Sequence, residues 1–397
     1  MGYAGFYLIR VVFAYAIPWL QKEFGYSNTD MGVIISLGSL VHAFGKGING
    51  ALSDYINARY FMSLGLLGSA IMIMMMSFSH SFMGLAVLYI LHQIFQSMGW
   101  PPCAKLLTHW FTKEELGTRW AIWSASQQVG NLLMYLLVAF TIWEFSKNWR
   151  LIFFVPAFAA LMMALFLFWA LRDTPESLGF EPIYKEQKED MSPLNWTMLK
   201  EQVYFNPLIL YVCFANFFLY FVRMSIVMWA PKFLLEFRQV GTLATITNPA
   251  VKDIAGIVGG VLAGYISDHF FKGERGVVST VYMMLVTIFV FALWQMPLSH
   301  PFLQMFVMAG IGFFLSGPQI LIGVSAADYS NKKVAGAATG FTGFFGYAGM
   351  SFTGIGAGFI LDHFGWNAFF GVICIAGLFA TICLAVARQK RLANLRA

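Results

Sequence analysis

The stretch LGLLGSAIMIMMM (residues 64–76) contains a single polar residue, Ser69. A strand of an outer-membrane barrel alternates apolar and polar residues, whereas this run is apolar on every side. Only a helix can cross the hydrocarbon core in that form, because it satisfies its backbone hydrogen bonds internally. The stretch therefore predicts a transmembrane helix.

The rest of the 397-residue chain has the same character. It is 59% hydrophobic, 17% aromatic and 11% charged, with a mean hydropathy of +0.68, whereas soluble domains average about 25% charged residues. Twelve stretches have the apolar length of roughly 20 residues that crosses a bilayer core. We predict an all-α polytopic membrane protein. The predicted spans are residues 2–20, 32–53, 60–78, 82–110, 118–142, 149–171, 207–235, 253–271, 277–296, 301–327, 333–361 and 366–388.

The one long polar segment divides these spans into two sets of six. We predict an N-terminal half (1–171), a cytoplasmic linker (172–206) with some amphipathic helix, and a C-terminal half (207–397) with a short basic tail. Fifteen Lys and Arg fall in the even-numbered connections and the tail, against six in the odd-numbered ones. The positive-inside rule then predicts that both termini are cytoplasmic. The net charge of +6 is a topology signal, and we predict no nucleic-acid binding.

The two halves share an internal repeat. YLIR (7–10) in the first span returns as YFVR (220–223) in the seventh, and GALSD (50–54) returns as GYISD (264–268). The arginine and the aspartate are 44 residues apart in the first copy and 45 in the second. Parallel repeats of this kind predict two pseudo-symmetric six-helix halves with a substrate site near the bilayer midplane, and this plan resembles the major facilitator fold.

The repeated Gly and Asp, with the basic residues after them, resemble the cytoplasmic motif of the major facilitator superfamily. By this resemblance Asp54, Arg59, Asp268 and Arg275 form a gate network. The alternative is that these charges only set the topology.

FYLIRVVF (6–13) places Arg10 in an otherwise apolar run. Arginine at a helix centre costs about 2.5–3.5 kcal/mol, so such residues mark a pathway or a cavity. Arg10, Lys46, Lys105 and Arg223 lie inside the predicted spans, and all nineteen Asp and Glu map to span ends, loops or the linker. We therefore predict an electropositive interior that binds an anion.

The side chains around the cations suit a phosphate group. Guanidinium is a planar fork that matches two phosphate oxygens, so Arg10 and Arg223 could hold one phosphate between them. Neighbours on the same helix faces would add donors and an aromatic wall. These candidates are Tyr3, Tyr7, Tyr220, His42, Lys46, Trp123 and Gln127.

Each candidate also has a structural interpretation. The cations could snorkel to the interface, and Lys105 is expected to be interfacial or structural. His42, Trp123 and Gln127 could be packing residues, and Tyr3 and Tyr7 could be interfacial anchors. Pro101, Pro102 and Pro318 are expected to kink helices.

Several longer segments resemble the organophosphate:phosphate antiporter family of the major facilitator superfamily, which also includes a hexose-phosphate sensor. They are GYAGFYLIR (2–10), QSMGWPPCAKLLTHWF (96–111), RDTPESLG (172–179), YFVRMSIVMWAPKFL (220–234), GERG (273–276) and GPQILIGVSAADYSNKKVAGAATGFTGFFGYAG (317–349).

The resemblance implies that Arg10 and Arg223 hold the phosphate and that Tyr7, Lys46, Trp123, Tyr220 and Tyr347 are further pocket residues. Gln127 stands where glycerol-3-phosphate transporters have a histidine, and His42 replaces a tyrosine. Both differences disfavour glycerol-3-phosphate. Helices ten and eleven are more similar to the hexose-phosphate branch, although an acid and a lysine that some of its carriers have in helix eleven are absent.

We therefore expect a secondary transporter that exchanges an organophosphate, such as glucose-6-phosphate or glycerol-3-phosphate, for inorganic phosphate by alternating access. The alternative is a sensor of external hexose phosphate that signals to a histidine kinase. Proton-coupled symport is disfavoured because no carboxylate is predicted in the core. No catalytic cluster, metal-ligand set or cofactor motif is apparent, so an enzyme is not expected. We predict a monomer in the bacterial inner membrane, with the lipid bilayer as its surroundings.

Overall fold

The computed structural model describes residues 2–111, 113–144, 148–180, 196–239, 242–271, 274–296, 301–330 and 334–396. The chain divides into two compact units. The first comprises Met1–Tyr26 and Leu37–Glu189, and the second comprises Ser27–Ser36 and Asp190–Ala397. The division lies inside the predicted linker, but it also assigns ten residues of the first half to the second unit.

The first unit is built from helices that match the first six predicted spans. They are α1 (Gly2–Arg10), α2 (Val12–Phe24), α3 (Asn28–Tyr55, shared with the second unit), α4 (Ala58–Met76), α5 (Phe82–Gln96), α6 (Trp100–Trp110), α7 (Lys113–Glu144) and α8 (Arg150–Ala170).

Two of these spans are divided into shorter helices. Pro101 and Pro102 occupy the first turn of α6, where a missing N–H costs nothing, so they separate α5 from α6 as the prolines predict. The first span is interrupted at Val11, whose backbone (φ −114°, ψ 8°) is not helical. The sequence has no proline or glycine at this point, and the break comes directly after Arg10.

The second unit contains the other predicted spans and part of the linker. Its helices are α9 (Trp196–Leu199), α10 (Pro207–Lys232), α11 (Thr242–His269), α12 (Arg275–Gln295), α13 (Pro301–Asp328) and α14 (Ala335–Arg396). The linker helix α9 continues into a π-helical turn at Lys200–Tyr204. The last helix is divided at Gly365, whose backbone (φ 71°, ψ −174°) breaks the helix and separates the two final predicted spans.

The described helices therefore confirm a polytopic membrane protein. Eleven of the described segments are long and apolar enough to cross a bilayer, and the last of them, Ala337–Ala393, contains the break at Gly365. Residues 181–195, in the middle of the predicted linker, lie outside the described part of the chain.

The eighth span corrects one expectation. It was predicted to begin at residue 253, but α11 begins at Thr242. Lys252 and Asp253 consequently lie inside the membrane-spanning segment Ala244–His269. They form a buried ion pair, in which 7% of Lys252 and 8% of Asp253 are exposed. Asp253 was predicted at the end of a span, and the structure places it well inside one. The expectation that no carboxylate lies in the core is therefore wrong, and the argument against proton coupling loses its premise.

Within the second unit, the first turn of α3 is held by a carboxylate from α14. The carboxylate of Asp362 accepts hydrogen bonds from the backbone N–H of Asn28 (3.0 Å) and Thr29 (2.6 Å), and from both of their side chains (2.7 and 2.6 Å). One turn further along, Gly32 and Gly354 approach so closely that a Cβ atom on either would collide with the carbonyl oxygen of the other. The first N–H groups of a helix have no intrahelical acceptor, so Asp362 supplies what α3 lacks.

The cap predicts a stability effect. Asp362→Ala should lower the free energy of unfolding by about 1 kcal/mol, as loss of a helix N-cap does, because two backbone N–H groups lose their acceptor. The measurement is the thermal unfolding midpoint of the purified protein in detergent. Glu144→Ala, which removes an exposed carboxylate at the end of α7, is the control. Equal midpoints for the two variants would show that the cap contributes nothing.

Candidate functional site

In the first unit, Arg10 and Tyr7 interact as their spacing predicts. Arg10 is the last residue of α1. Its Nη1 donates a hydrogen bond to Tyr7 Oη at 3.4 Å, and its guanidinium carbon lies 5.0 Å from the centre of the Tyr7 ring. A cation over an aromatic face is stabilised by the ring quadrupole, so Tyr7 helps α1 to carry a charge at this depth.

An aromatic wall extends from this pair. The Tyr3 ring lies 5.2 Å from that of Tyr7 and stacks on Trp123 of α7, with ring centres 4.7 Å apart. Tyr3 and Tyr7 are only 7% and 8% exposed, which argues against a role as interfacial anchors. Gln127 follows Trp123 by one turn of α7 and is half-buried. The structure thus joins three of the predicted aromatic residues to Arg10.

His42 and Lys46 lie one turn apart on α3 in the same unit. The ammonium of Lys46 lies 4.8 Å from the centre of the Trp100 ring. His42 is buried, with 3% of the residue exposed. The first unit therefore contains a second cation against an aromatic ring and a buried histidine on the same helix.

The second unit repeats the arrangement around Arg223. Its guanidinium carbon lies 5.7 Å from the centre of the Tyr220 ring, and the rings of Tyr220 and Tyr347 are 6.2 Å apart. Ion pairs of the described basic residues in this unit involve Lys232, Lys252, Arg275 and Arg388, and Arg223 forms none with any described residue. A guanidinium at mid-helix with aromatic neighbours and no carboxylate is suited to bind an anion.

Lys105 has a structural role, as expected. Its Nζ lies 3.3 Å from Asp173 Oδ1 and donates to the Ile56 carbonyl at 3.2 Å. Sequence reasoning missed the partner because Asp173 follows the sixth span, far away in the chain. Lys105 therefore does not add to the charge available for a ligand.

The predicted gate residues are only partly described. Arg59 donates to the Phe168 carbonyl and stacks on the Phe168 ring at 5.2 Å. Asp268 is exposed near the end of α11. Arg275 pairs with Asp328, a partner that the sequence did not suggest. The side chain of Asp54 lies outside the described part of the structure.

The comparisons with known proteins agree with this architecture. The sequence profile of the Major Facilitator Superfamily matches residues 1–354. The chain is 37% identical to the glycerol-3-phosphate transporter of Bacillus subtilis, covering 97% of this chain and 90% of the relative. It is 35% identical to a probable hexose phosphate transport protein of Chlamydia trachomatis (96% and 88%) and 34% identical to the membrane sensor protein UhpC of Escherichia coli (97% and 89%).

The fold is also similar to that of solved transporters. A bacterial homologue of the human lysosomal transporter Spinster superposes with a TM-score of 0.71 over 100% of this chain and 95% of that one, at 16% identity. Together with the arginine and tyrosine pair in each unit, these matches show that the chain belongs to the Major Facilitator Superfamily, in the organophosphate:phosphate antiporter branch.

Proposed function

We propose that the protein exchanges a phosphate ester for inorganic phosphate across the membrane by alternating access. The observation that carries the proposal is Arg223, a mid-span guanidinium with aromatic neighbours and no ion pair among the described residues. The first unit contains the equivalent Arg10 and Tyr7. Relatives with 35% and 37% identity over nearly the whole chain are named as phosphate-ester transporters, which supports the same substrate class.

The chemistry of binding follows from the donors. Each of the guanidiniums of Arg10 and Arg223 can donate two parallel hydrogen bonds to phosphate oxygens. The phenols of Tyr7 and Tyr220 can donate one more each. In the proposed site, Lys46 adds positive charge. The remaining side chains, namely Tyr3, His42, Trp123, Gln127 and Tyr347, contact the organic part of the ester.

A sugar phosphate is the proposed substrate, with glycerol-3-phosphate as the alternative. The side chains of Gln127 and His42 carry hydrogen-bond donors and acceptors that can bind sugar hydroxyls, and their positions differ from the pattern of glycerol-3-phosphate transporters. Relatives of both substrate classes are similar to this chain at nearly equal identity, so the pocket side chains and not the overall similarity support this choice.

Exchange follows from the charge balance. Closing an empty site around two guanidiniums would remove water from them, and electrostatic energies rise as the dielectric falls. A bound phosphate or phosphate ester neutralises the cations and lowers this cost. The buried Lys252 and Asp253 neutralise each other, so they leave the balance unchanged. In this proposal Asp54, Arg59, Asp268 and Arg275 form the cytoplasmic gate, and the protein is a monomer in the bacterial inner membrane with both termini in the cytoplasm.

The proposal is tested with purified protein in liposomes that contain inorganic phosphate. Radiolabelled phosphate is supplied outside, and glucose-6-phosphate, glycerol-3-phosphate and phosphoenolpyruvate compete in turn. We expect rapid exchange that needs phosphate on both sides, with glucose-6-phosphate as the strongest competitor. Phosphate efflux at full rate into a medium without any counter-substrate would contradict obligatory exchange.

The arginine fork predicts a binding defect. Arg10→Lys and Arg223→Lys keep the charge but lose the bidentate geometry, and one lost charge-assisted hydrogen bond corresponds to about a tenfold to 100-fold loss in phosphate affinity. Equilibrium binding of radiolabelled phosphate measures the loss. Arg172→Lys, at the start of the linker, is the matched control. Wild-type phosphate affinity in both pocket variants would show that the two arginines do not bind phosphate through bidentate hydrogen bonds.

A sensor is the second candidate, because the similarity to the membrane sensor protein UhpC also extends over the whole chain. A receptor needs to bind the ester without high flux, and its signal would pass to a histidine kinase. Binding of glucose-6-phosphate by the wild-type protein without any phosphate exchange in liposomes would favour this function over transport.

A further inference from the structure

We propose that Gln96 is a positioning residue of the phosphate site and that it sets the place of Arg10 through the main chain of α1. The inference rests on the proposed function, since it assigns to Gln96 an effect on phosphate binding. Gln96 is the last residue of α5 and is 3% exposed. Gln96 begins the segment QSMGWPPCAKLLTHWF (96–111), but no role was predicted for it from the sequence.

The side-chain amide of Gln96 connects three helices. Its Nε2 donates to the Phe6 carbonyl of α1 at 3.0 Å and to Ser69 Oγ of α4 at 3.1 Å. In α-helix geometry the carbonyl of residue 6 is the acceptor for the N–H of residue 10. Gln96 therefore holds the carbonyl of the last hydrogen-bonded turn of α1, directly before the break at Val11.

His92 extends this connection on the preceding turn of α5. It is completely buried, and its Nδ1 lies 2.9 Å from Ser69 Oγ. His92, Ser69 and Gln96 thus form a chain of side chains that ends on the Phe6 carbonyl. Hydrogen bonds in such a dry interior are strong and costly to misplace, so the network favours one position of α1 over its alternatives.

Close packing restricts the same turn of α1 from two further places, the residue before α6 and a turn of α7. A Cβ atom on Gly99 would lie 2.9 Å from the Phe6 ring, and one on Gly130 of α7 would lie 2.6 Å from Tyr7 Cβ. Larger side chains at either position would push α1 away. These contacts restrain the main chain near Phe6 from several sides. In this proposal the position of the Arg10 guanidinium can change only through rotation of its own side chain.

The network also lowers the stability of the folded protein, because it buries polar atoms that make no hydrogen bond. Within the described part of the chain, Gln96 Oε1 and His92 Nε2 are buried without a hydrogen-bond partner. A buried polar atom without a partner costs about 1–3 kcal/mol. An apolar residue in place of Gln96 would remove one such atom, so the glutamine serves the position of α1 at the expense of stability.

The test compares Gln96→Leu with a matched control, Gln304→Leu. Gln304 of α13 is also a buried glutamine, 2% exposed, whose Oε1 lacks a partner among the described residues, and it lies in the second unit. Phosphate binding and the thermal unfolding midpoint are measured for both variants and for the wild type. Ser69→Ala, a smaller change that removes only the link between Gln96 and His92, is the second test variant.

We expect Gln96→Leu to bind phosphate about tenfold to 100-fold more weakly, the effect of a misplaced binding group, while its unfolding midpoint stays at or above that of the wild type. Gln304→Leu should keep wild-type affinity. Ser69→Ala should bind phosphate more weakly than the wild type but more tightly than Gln96→Leu. If Gln96→Leu does not fold, the phosphate affinity of Ser69→Ala tests the positioning role. Equal affinities of wild type and test variants would overturn the positioning role alone. A wild-type protein that binds neither phosphate nor esters would overturn the proposed function and this inference together.

Discussion

A guanidinium inside a membrane-spanning segment is the constraint on which the site depends. Its insertion costs about 2.5–3.5 kcal/mol, so the surrounding fold must compensate. In the first unit the compensation comes from Tyr7, which contacts Arg10 with both its ring and its hydroxyl. In the second unit the Tyr220 ring lies near Arg223, with the guanidinium carbon 5.7 Å from the ring centre. In the proposed function, an anionic ligand with two or more oxygens completes the solvation of these charges.

The two halves support equivalent arginines by different means. Arg10 ends a short helix and is followed by a break at Val11, and the α1 main chain before it is held by Gln96. Arg223 lies within the uninterrupted α10, where Asn216 donates to the Thr342 carbonyl of α14 at 2.8 Å. A sequence repeat therefore preserves the charged group and its tyrosine, whereas the structures that position them have diverged.

Features set by local pattern could be predicted from the sequence. Apolar length predicted the spans, and the i,i+3 spacing of Tyr7 and Arg10 predicted their contact because helical geometry fixes it. The prolines predicted the division between α5 and α6. The break at Val11 could not be predicted, since FYLIRVVF has no residue that disfavours a helix strongly, and a side chain about 90 residues away supports the turn before it.

Contacts between residues that are far apart in the chain could not be predicted from the sequence either. Asp173 beside Lys105 and Asp362 on the first turn of α3 depend on the tertiary fold. From the sequence, Lys252 was placed in the connection before the eighth span and Asp253 at the first residue of that span, whereas α11 begins at Thr242. The structure shows instead that opposite charges on consecutive residues can be buried together, since each supplies the counterion of the other.

The central claim is that phosphate is the counterion of the two arginines. The most direct measurement is the thermal unfolding midpoint of the purified protein as a function of inorganic phosphate at constant ionic strength, because a ligand that binds only the folded state raises it. We expect a rise for the wild type that continues with the logarithm of the phosphate concentration, and none for the double variant Arg10→Gln, Arg223→Gln. A flat wild-type curve, or the same rise in the double variant, would contradict it.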